Sequence, residues 1–187
     1  MSGASGRSVD VFNRGGSMIT PLMHITLPED DGEDRHFAPI ILALQAPIAI
    51  NEWHIRRGLS RAAQGKGQPV PPLYASGVRY KEDPPGEENW KDCLAVLKDG
   101  FGDCDRLVSW RVAELRVAGI AAEPVIKWQQ VPKDVMIGLG HPAHMVPEEG
   151  ISMVHVCVGW PGWQQDESRV EDPSKLLGMG GNYTSGI

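Results

Sequence analysis

Glycine and proline interrupt this chain so often that regular structure must be divided among short segments. Its 187 residues include 22 glycines and 15 prolines, about a fifth of the chain against a usual ~12%. Both residues favour turns, because glycine adopts positive φ freely and proline lacks the N–H that helices and sheets use. Much of the chain is therefore expected to form loops.

The remaining composition fits one soluble domain that needs neither disulfides nor metal. The formal charge of −6 argues against a nucleic-acid binder, and the mean hydropathy of −0.25 argues against wholesale disorder. Three cysteines without a C-x-x-C motif indicate a reducing compartment. No signal peptide and no apolar stretch long enough to span a bilayer are recognised, so the expected location is the cytoplasm of the producing cell.

Serine and glycine dominate residues 1–17, which are predicted to form a flexible arm or an arm that only a partner orders. A β-prone segment follows over residues 18–27. We expect residues 18–187 to form a single domain whose core spans about residues 73–180.

Apolar spacing and turn residues predict a mixed α+β domain. Segment 37–44 is compatible with a strand or with the start of a helix. Pro47 is expected in the first turn of a helix that ends near Gly65. The other predicted elements are an extended segment over 73–80, helices from about 90 to 100 and from 103 to 118, strands over 124–129, 152–160 and 169–171, and a loop over 131–150.

The most informative residue is Cys104, which follows Gly102-Asp103 at the predicted start of a helix. Main-chain N–H groups and the helix dipole at such a position lower a thiol pKa and favour the thiolate. Asp103 is expected to cap the helix. Since Asp103 and Asp105 oppose a thiolate, a cationic partner is required. A small buried cysteine at a helix start is the alternative interpretation.

His155 and Asp172 are the two residues that could complete a site with Cys104. Strand alternation places His155 on one face with Met153 and Cys157. Asp172 ends the next predicted strand, so a hairpin would bring its carboxylate beside His155, where it would fix the imidazole tautomer. Each residue also has an alternative interpretation when taken singly. His155 could be a half-buried strand residue, and Asp172 could be an ordinary turn residue.

The order of Cys at a helix start, His in a strand and Asp after the following strand resembles the transglutaminase-like branch of the papain-type cysteine enzymes. The similarity covers about residues 73–180. Within that branch, the chain looks most like small transglutaminase-like proteins of tailed phages and prophages. The residues that carry the resemblance are Tyr80-Lys-Glu-Asp-Pro, Gly102-Asp-Cys-Asp105, the helix Trp110–Arg116 closing at Gly119-Ile120, His155-Val156, and Asp172-Pro-Ser174 with Leu177-Gly-Met179.

This resemblance implies a Cys-bearing helix packed on an antiparallel sheet, with Cys104 as nucleophile, His155 as base and acid, and Asp172 as the orienting group. The implied chemistry is acyl transfer through a thioester, resolved by water or an amine. A Cys104–His155 pair would raise the histidine pKa and lower the thiol pKa. One oxyanion donor would be the N–H of Cys104. A second, upstream donor stays open among Gln68, Tyr80, Asn89 and Trp90.

Two other groups of residues have competing interpretations. His141 and His144, with His155 and Cys157, could form a metal site, but their spacing matches no reliable zinc pattern. We therefore predict no metal and no cofactor. Arg111 and Arg116 are most simply interpreted as a solvated helix face.

Two functions from different classes follow. The first is a cysteine-dependent amide hydrolase, peptidase or acyltransferase that acts on a protein or peptide, with incorporation into a phage virion as an added expectation. The second is a structural or assembly protein of a phage particle that keeps the fold with little or no catalysis. In either case residues 1–17 are expected to dock onto other phage structural proteins, and no nucleic acid or membrane is expected as a partner.

Overall fold

The computed structural model describes residues 33–83, 90–138 and 143–179. The predicted arm at residues 1–17 and the predicted strand at 18–27 lie outside these ranges. The described residues form a mixed helix-and-sheet structure, which confirms the α+β class. Within them, no helix combines the length and the apolar character that crossing a membrane requires.

A single long helix, α1 (Glu33–Ala63), covers segment 37–44 and the helix expected from Pro47 onward. Of the two alternatives left open for segment 37–44, the helical one is therefore correct. The prediction that Pro47 lies in a first turn is wrong, because Pro47 lies inside the helix. An apolar row accounts for the continuity: Leu44, Ile48 and Ile55 are buried at helical spacing, and their burial outweighs the hydrogen bond that an interior proline removes.

Two helices follow, separated by a strand of two residues. Helix α2 (Cys93–Asp99) begins at the cap Asp92 and ends at Gly100, whose φ of 78° lies in the left-handed region. Helix α3 (Cys104–Val117) begins at Asp103 and stops before Gly119, as predicted.

The connections around these helices differ in part from the predicted ones. Residues 73–75 form a 3₁₀ turn rather than an extended segment. Strand β1 (Arg79–Tyr80) pairs in parallel with β2 (Phe101–Gly102), so that Tyr80 lies opposite Gly102. This pairing ties the chain before α2 to the residues immediately preceding Cys104.

Three antiparallel strands make the main sheet in the order β3 (Glu123–Val131), β4 (Ile151–Gly159) and β5 (Val170–Glu171). The predicted loop over 131–150 is wrong in part, since it contains α4 (Lys133–Gly138). A final short helix, α5 (Pro173–Leu176), begins directly after Asp172.

Helix α3 lies between α1 and strand β4, and the core is built on both of its sides. Trp110 of α3 is fully buried, and Val156 and Val158 of β4 belong to the same apolar cluster. The structure therefore packs the Cys104-bearing helix against an antiparallel sheet, as the sequence predicted. The N-terminus of α3 is thereby brought to the strand that carries His155.

Candidate functional site

His155 and Asp172 form a hydrogen-bonded pair across the β4–β5 hairpin. His155 Nε2 lies 3.0 Å from Asp172 Oδ2, and both side chains are mostly buried, with 18% and 15% of their surface exposed. When Nε2 carries the proton that Asp172 accepts, the ring lone pair is on Nδ1. Asp172 therefore selects a tautomer and an orientation for the imidazole, as the sequence predicted.

The second carboxylate oxygen of Asp172 holds the backbone that follows. Oδ1 accepts hydrogen bonds from the main-chain N–H groups of Ser174 and Lys175, at 3.1 and 3.2 Å, and so caps helix α5. Burial raises the pKa of the Asp172 carboxyl, but the hydrogen bond and attraction to His155, with the N–H of Lys175, outweigh it and leave the pKa lowered. Asp172 is thus held as a carboxylate between a helix and an imidazole.

Cys104 is the first residue of α3, and its sulfur lies against strand β4. The Sγ atom accepts hydrogen bonds from the N–H of Val156 and from the N–H of Asp105. The Val156 N–H belongs to the peptide that joins it to His155, so Cys104 meets the strand at the histidine. Cys104 is also partly exposed, whereas Cys93 and Cys157 are buried. The structure therefore brings the Cys104 sulfur to the backbone of β4 immediately after His155.

The expectation of a lowered thiol pKa at Cys104 is wrong for this structure. Burial is the largest cause, and the charges of Asp105 and Asp103 add to it, so that the pKa of Cys104 is raised to about 12. The N–H groups of Val156 and Asp105 act in the opposite direction but are weaker. These surroundings favour the neutral thiol over the thiolate.

Arg106 forms ion pairs with the acidic residues beside Cys104. Its guanidinium pairs with Asp83 and with Asp103, at 2.9 Å for Asp103, and lies 3.9 Å from Asp105, while its side chain is 1% exposed. The predicted cap by Asp103 does not form, because its carboxylate binds Arg106 instead of the helix N–H groups. The single positive charge of Arg106 is thus shared by three carboxylates. A net negative charge therefore remains near the thiol.

Gly102 has a packing role that the sequence analysis did not assign. A Cβ atom at this position would lie 3.3 Å from Val96 Cγ1 and 3.4 Å from both Arg106 Cβ and Leu107 Cδ2. The absent side chain lets strand β2 approach both helices, and this approach fixes where α3 starts.

Cys157 joins the pair as a neighbour that the triad prediction did not include. One side-chain donor atom from each of His155, Cys157 and Asp172 lies within 4.8 Å of the other two. Burial, followed by the charge of Asp172, raises the pKa of the Cys157 thiol to about 12. The shared strand face of His155 and Cys157 was visible in the sequence, but its meeting with Asp172 depends on the hairpin.

A second group of side chains anchors the residue next to Asp172. Glu171 accepts hydrogen bonds from Arg111 Nε at 2.8 Å, from Trp160 Nε1 at 2.9 Å and from the Tyr74 hydroxyl. Arg111 also pairs with Glu114 at 3.1 Å. The interpretation of Arg111 as part of a solvated face is therefore wrong, because it connects α3 to β5.

Arg116 is not simply solvated either. Its Nε atom donates to the carbonyl of Ala122 at 2.8 Å, and its Nη1 atom donates to Gln45 Oε1 at 3.1 Å. An ion pair with Glu52 of α1 lies at 3.8 Å. Arg116 therefore fastens the end of α3 to α1 and to the chain that leads into β3.

The four residues considered as a second oxyanion donor have different positions in the structure. Tyr80 pairs with Gly102, two residues before Cys104. Gln68 and Trp90 are exposed, and Asn89 lies outside the described residues. The alternative metal set also changes, since His141 lies outside the described residues and His144 is exposed.

This chain was compared with protein families, curated proteins and solved structures. No protein-family model, no curated protein and no solved structure matched this chain. The functional assignment is consequently based on the geometry of the described residues.

Proposed function

We propose that this chain is a transglutaminase-like cysteine amide hydrolase or acyltransferase that acts on a protein or peptide through a thioester. Cys104 is the nucleophile, His155 is the base and acid, and Asp172 orients the imidazole. The observation that carries the proposal is the placement of the Cys104 sulfur at the His155–Val156 peptide while Asp172 holds His155 through Nε2.

The hydrogen bond to Asp172 makes Nδ1 the nitrogen that accepts the thiol proton. As the proton moves to Nδ1, the sulfur bonds to the substrate carbonyl carbon. The imidazolium then protonates the leaving amine as the carbon–nitrogen bond breaks, leaving a thioester on Cys104. Water or an amine, deprotonated by His155, attacks the thioester and restores the thiol.

The raised thiol pKa favours one version of this mechanism. A resting thiolate–imidazolium pair would require a thiol pKa below neutrality, whereas burial and the adjacent aspartates stabilise the neutral thiol. Proton transfer to His155 therefore accompanies attack on the substrate. The Asp172 charge supports this step, because it stabilises the imidazolium that forms.

Trapping of the acyl-enzyme tests the proposal directly. A panel of activated acyl esters and peptide amides is incubated with the full chain, and intact-mass spectrometry measures the added acyl mass. We expect one acyl group on Cys104, sensitive to hydroxylamine as a thioester is, and none on Cys104→Ala under the same conditions. Acylation that persists in Cys104→Ala, or that maps to Cys93 or Cys157, would refute the assignment.

The second candidate is a structural or assembly protein that keeps the same fold. The observation that favours it is the acidic surrounding of Cys104, where Asp83, Asp103 and Asp105 share one arginine and oppose thiolate formation. If the site is structural, Cys104→Ala leaves assembly unchanged and no substrate acylates the wild-type protein.

A place in a phage particle is part of both candidates and follows from the resemblance of the sequence. The proposed docking segment is residues 1–17. Co-purification of the full chain, and of a chain lacking residues 1–17, with phage structural proteins tests this role. Equal retention of both forms would contradict docking through the arm.

A further inference from the structure

We propose that His155, Cys157 and Asp172 form a binding site for zinc or a chemically similar divalent transition-metal ion. The three residues come from two adjacent parts of the fold. His155 and Cys157 project from the same face of β4, and Asp172 follows β5. One donor atom from each lies within 4.8 Å of the others.

These separations are close to those of a metal site. With zinc–ligand bonds of about 2.0–2.3 Å, the donor atoms of a tetrahedral site are about 3.4–3.6 Å apart. His155 Nε2 and Asp172 Oδ2 are already 3.0 Å apart. The longest of the three separations must therefore shorten by about 1 Å, a change that rotation of the side chains provides.

The donor types select the class of ion. A thiolate and an imidazole favour zinc and related transition metals, whereas calcium and magnesium require mostly oxygen donors. A carboxylate completes a set of three protein ligands and leaves a fourth position for water or a substrate atom. The His155 and Asp172 side chains are 18% and 15% exposed, so the group of ligands is not fully sealed from solvent.

Charge balance also favours a divalent ion. Binding breaks the sulfur–hydrogen bond of Cys157, forms a metal–sulfur bond and releases one proton to solvent. The His155 ring also changes tautomer, losing the proton on Nε2 and gaining one on Nδ1, so that Nε2 binds the metal with no further net proton release. The thiolate and the Asp172 carboxylate then neutralise the two positive charges of the metal. Without a metal, burial and Asp172 keep the thiol protonated, although Lys127 and Lys175 lower its pKa. Both lysines also repel a cation, and Lys175 Nζ lies 3.7 Å from Asp172 Oδ2.

Occupation of this site would remove the base from the triad. A metal bound to Nε2 of His155 leaves the ring proton on Nδ1, the nitrogen that would otherwise accept the thiol proton, and it also binds the orienting carboxylate of Asp172, so zinc would inhibit acyl transfer. This consequence rests on the proposed function, but the binding of the metal does not.

Zinc titration of defined cysteine variants tests the site. Wild-type protein and the Cys104→Ser, Cys157→Ser and Cys157→Ala variants are titrated with zinc chloride by calorimetry, in buffers of different ionisation enthalpy. We expect one zinc per chain and about one proton released in the wild type and in Cys104→Ser. Both Cys157 variants should bind zinc more than about 100-fold more weakly, since even outer partners of ligands cost about 10- to 100-fold.

Cobalt supplies a readout that depends on the ligands rather than on activity. A sulfur-to-cobalt charge-transfer band should appear in the wild type and in Cys104→Ser but not in Cys157→Ala, and circular dichroism checks that each variant is folded. The alanine variant is included because a serine hydroxyl could itself perturb the buried position 157. If Cys104→Ser loses the band while Cys157→Ala keeps it, or if folded wild-type protein binds no cobalt or zinc, the proposal is wrong.

Activity measurements separate this inference from the proposed function. Zinc binding through Cys157 in a protein that forms no acyl-enzyme supports the metal site and refutes the hydrolase proposal. Acyl-enzyme formation in a protein that binds no zinc does the reverse.

Discussion

The two halves of the candidate site differ in how far they are prepared for catalysis. On the sheet side, one oxygen of Asp172 holds His155 and the other caps α5, so the base has a fixed tautomer and position. On the helix side, the Cys104 sulfur accepts two main-chain hydrogen bonds, but burial, followed by the charges of Asp105 and Asp103, raises its pKa to about 12. In the proposed mechanism the base is therefore in place, whereas the Cys104 thiol must be activated when substrate binds.

This difference shows that position in a helix does not by itself determine thiol chemistry. The N-terminus of α3 supplies N–H groups that favour the thiolate, as the general rule states. Desolvation, together with the charges of Asp103 and Asp105, acts in the opposite direction and is larger here. Substitutions on the two sides should consequently have separable effects. Those on the sheet side should change the rate of acylation, and those on the helix side should change the ionisation of the Cys104 thiol.

The largest effect is expected for Asp172→Asn. Asparagine keeps the cap of α5, because its side-chain oxygen accepts the same N–H bonds, but it removes the charge that stabilises imidazolium. Loss of the orienting carboxylate costs on the order of 10⁴ in rate in the best-studied triad. We therefore expect acylation of Cys104 to slow by about this factor. Intact-mass spectrometry of samples quenched at a series of times measures the rate.

Asp172→Ala is the matched comparison, since it removes the charge and the cap together. Its free energy of unfolding should fall by about 1 kcal/mol more than that of Asp172→Asn, while the two variants lose similar activity. Unchanged acylation rates in a folded Asp172→Asn protein would show that His155 does not act with Asp172.

The next largest effect concerns the pH dependence of the thiol. Because the pKa of Cys104 is raised to about 12, the thiolate fraction should increase about tenfold per pH unit below that value. Iodoacetamide should therefore modify Cys104 about 100-fold faster at pH 9 than at pH 7, without a plateau between them. Peptide mapping by mass spectrometry measures the rate and should place most of the label on Cys104, the one partly exposed cysteine of the three.

Asp105→Asn examines the cause of the raised pKa. Removing this charge should lower the thiol pKa and speed alkylation at any fixed pH below it, whereas Asp134→Asn on helix α4 serves as the control and should leave the rate unchanged. A rate that is flat from pH 7 to about 9 would instead indicate a preformed thiolate, and the contrast between the two halves would disappear.

A smaller effect is expected at the link between the helix and the sheet. Glu171→Gln weakens the bonds to Arg111, Trp160 and Tyr74 and leaves Arg111 with Glu114. Loss of hydrogen bonds to a charged group should lower the free energy of unfolding by about 1–3 kcal/mol. Chemical denaturation measures this change.

Glu167→Gln is the matched control. Glu167 forms an exposed pair with Lys127 at 2.8 Å, and such pairs contribute at most about 1 kcal/mol. Equal destabilisation by the two substitutions would show that Glu171 does not anchor β5.

Sequence reasoning predicted the parts of the fold that depend on local chemistry. Gly100 and Gly119 end their helices as predicted, because positive φ at these positions requires glycine. The strand that contains His155 followed from its alternation of valines. The hairpin that joins His155 to Asp172 followed from the short spacing between the two residues.

The remaining features depend on contacts between distant segments, which spacing does not reveal. Pro47 suggested a helix start, but tertiary packing of α1 on α3 continues the helix through it. Arg106 binds Asp83, 23 positions earlier in the sequence, and this long-range pair diverts Asp103 from capping. The same limitation concealed the burial that raises the pKa of Cys104.

The smallest expected effect is the acid dependence of stability on the sheet side. The pKa of Asp172 is lowered in the folded chain by its bond to His155, while its value in the unfolded chain is about 3.9. A group whose folded pKa is lowered contributes stability that is complete above the unfolded pKa and is lost as pH falls through the folded one. The difference in unfolding free energy between wild type and Asp172→Asn should therefore decrease as the pH falls below about 4. Urea denaturation at a series of pH values measures this difference. A difference that stays constant down to about pH 3 would mean that His155 does not stabilise the carboxylate, and the sheet side would be no better prepared than the helix side.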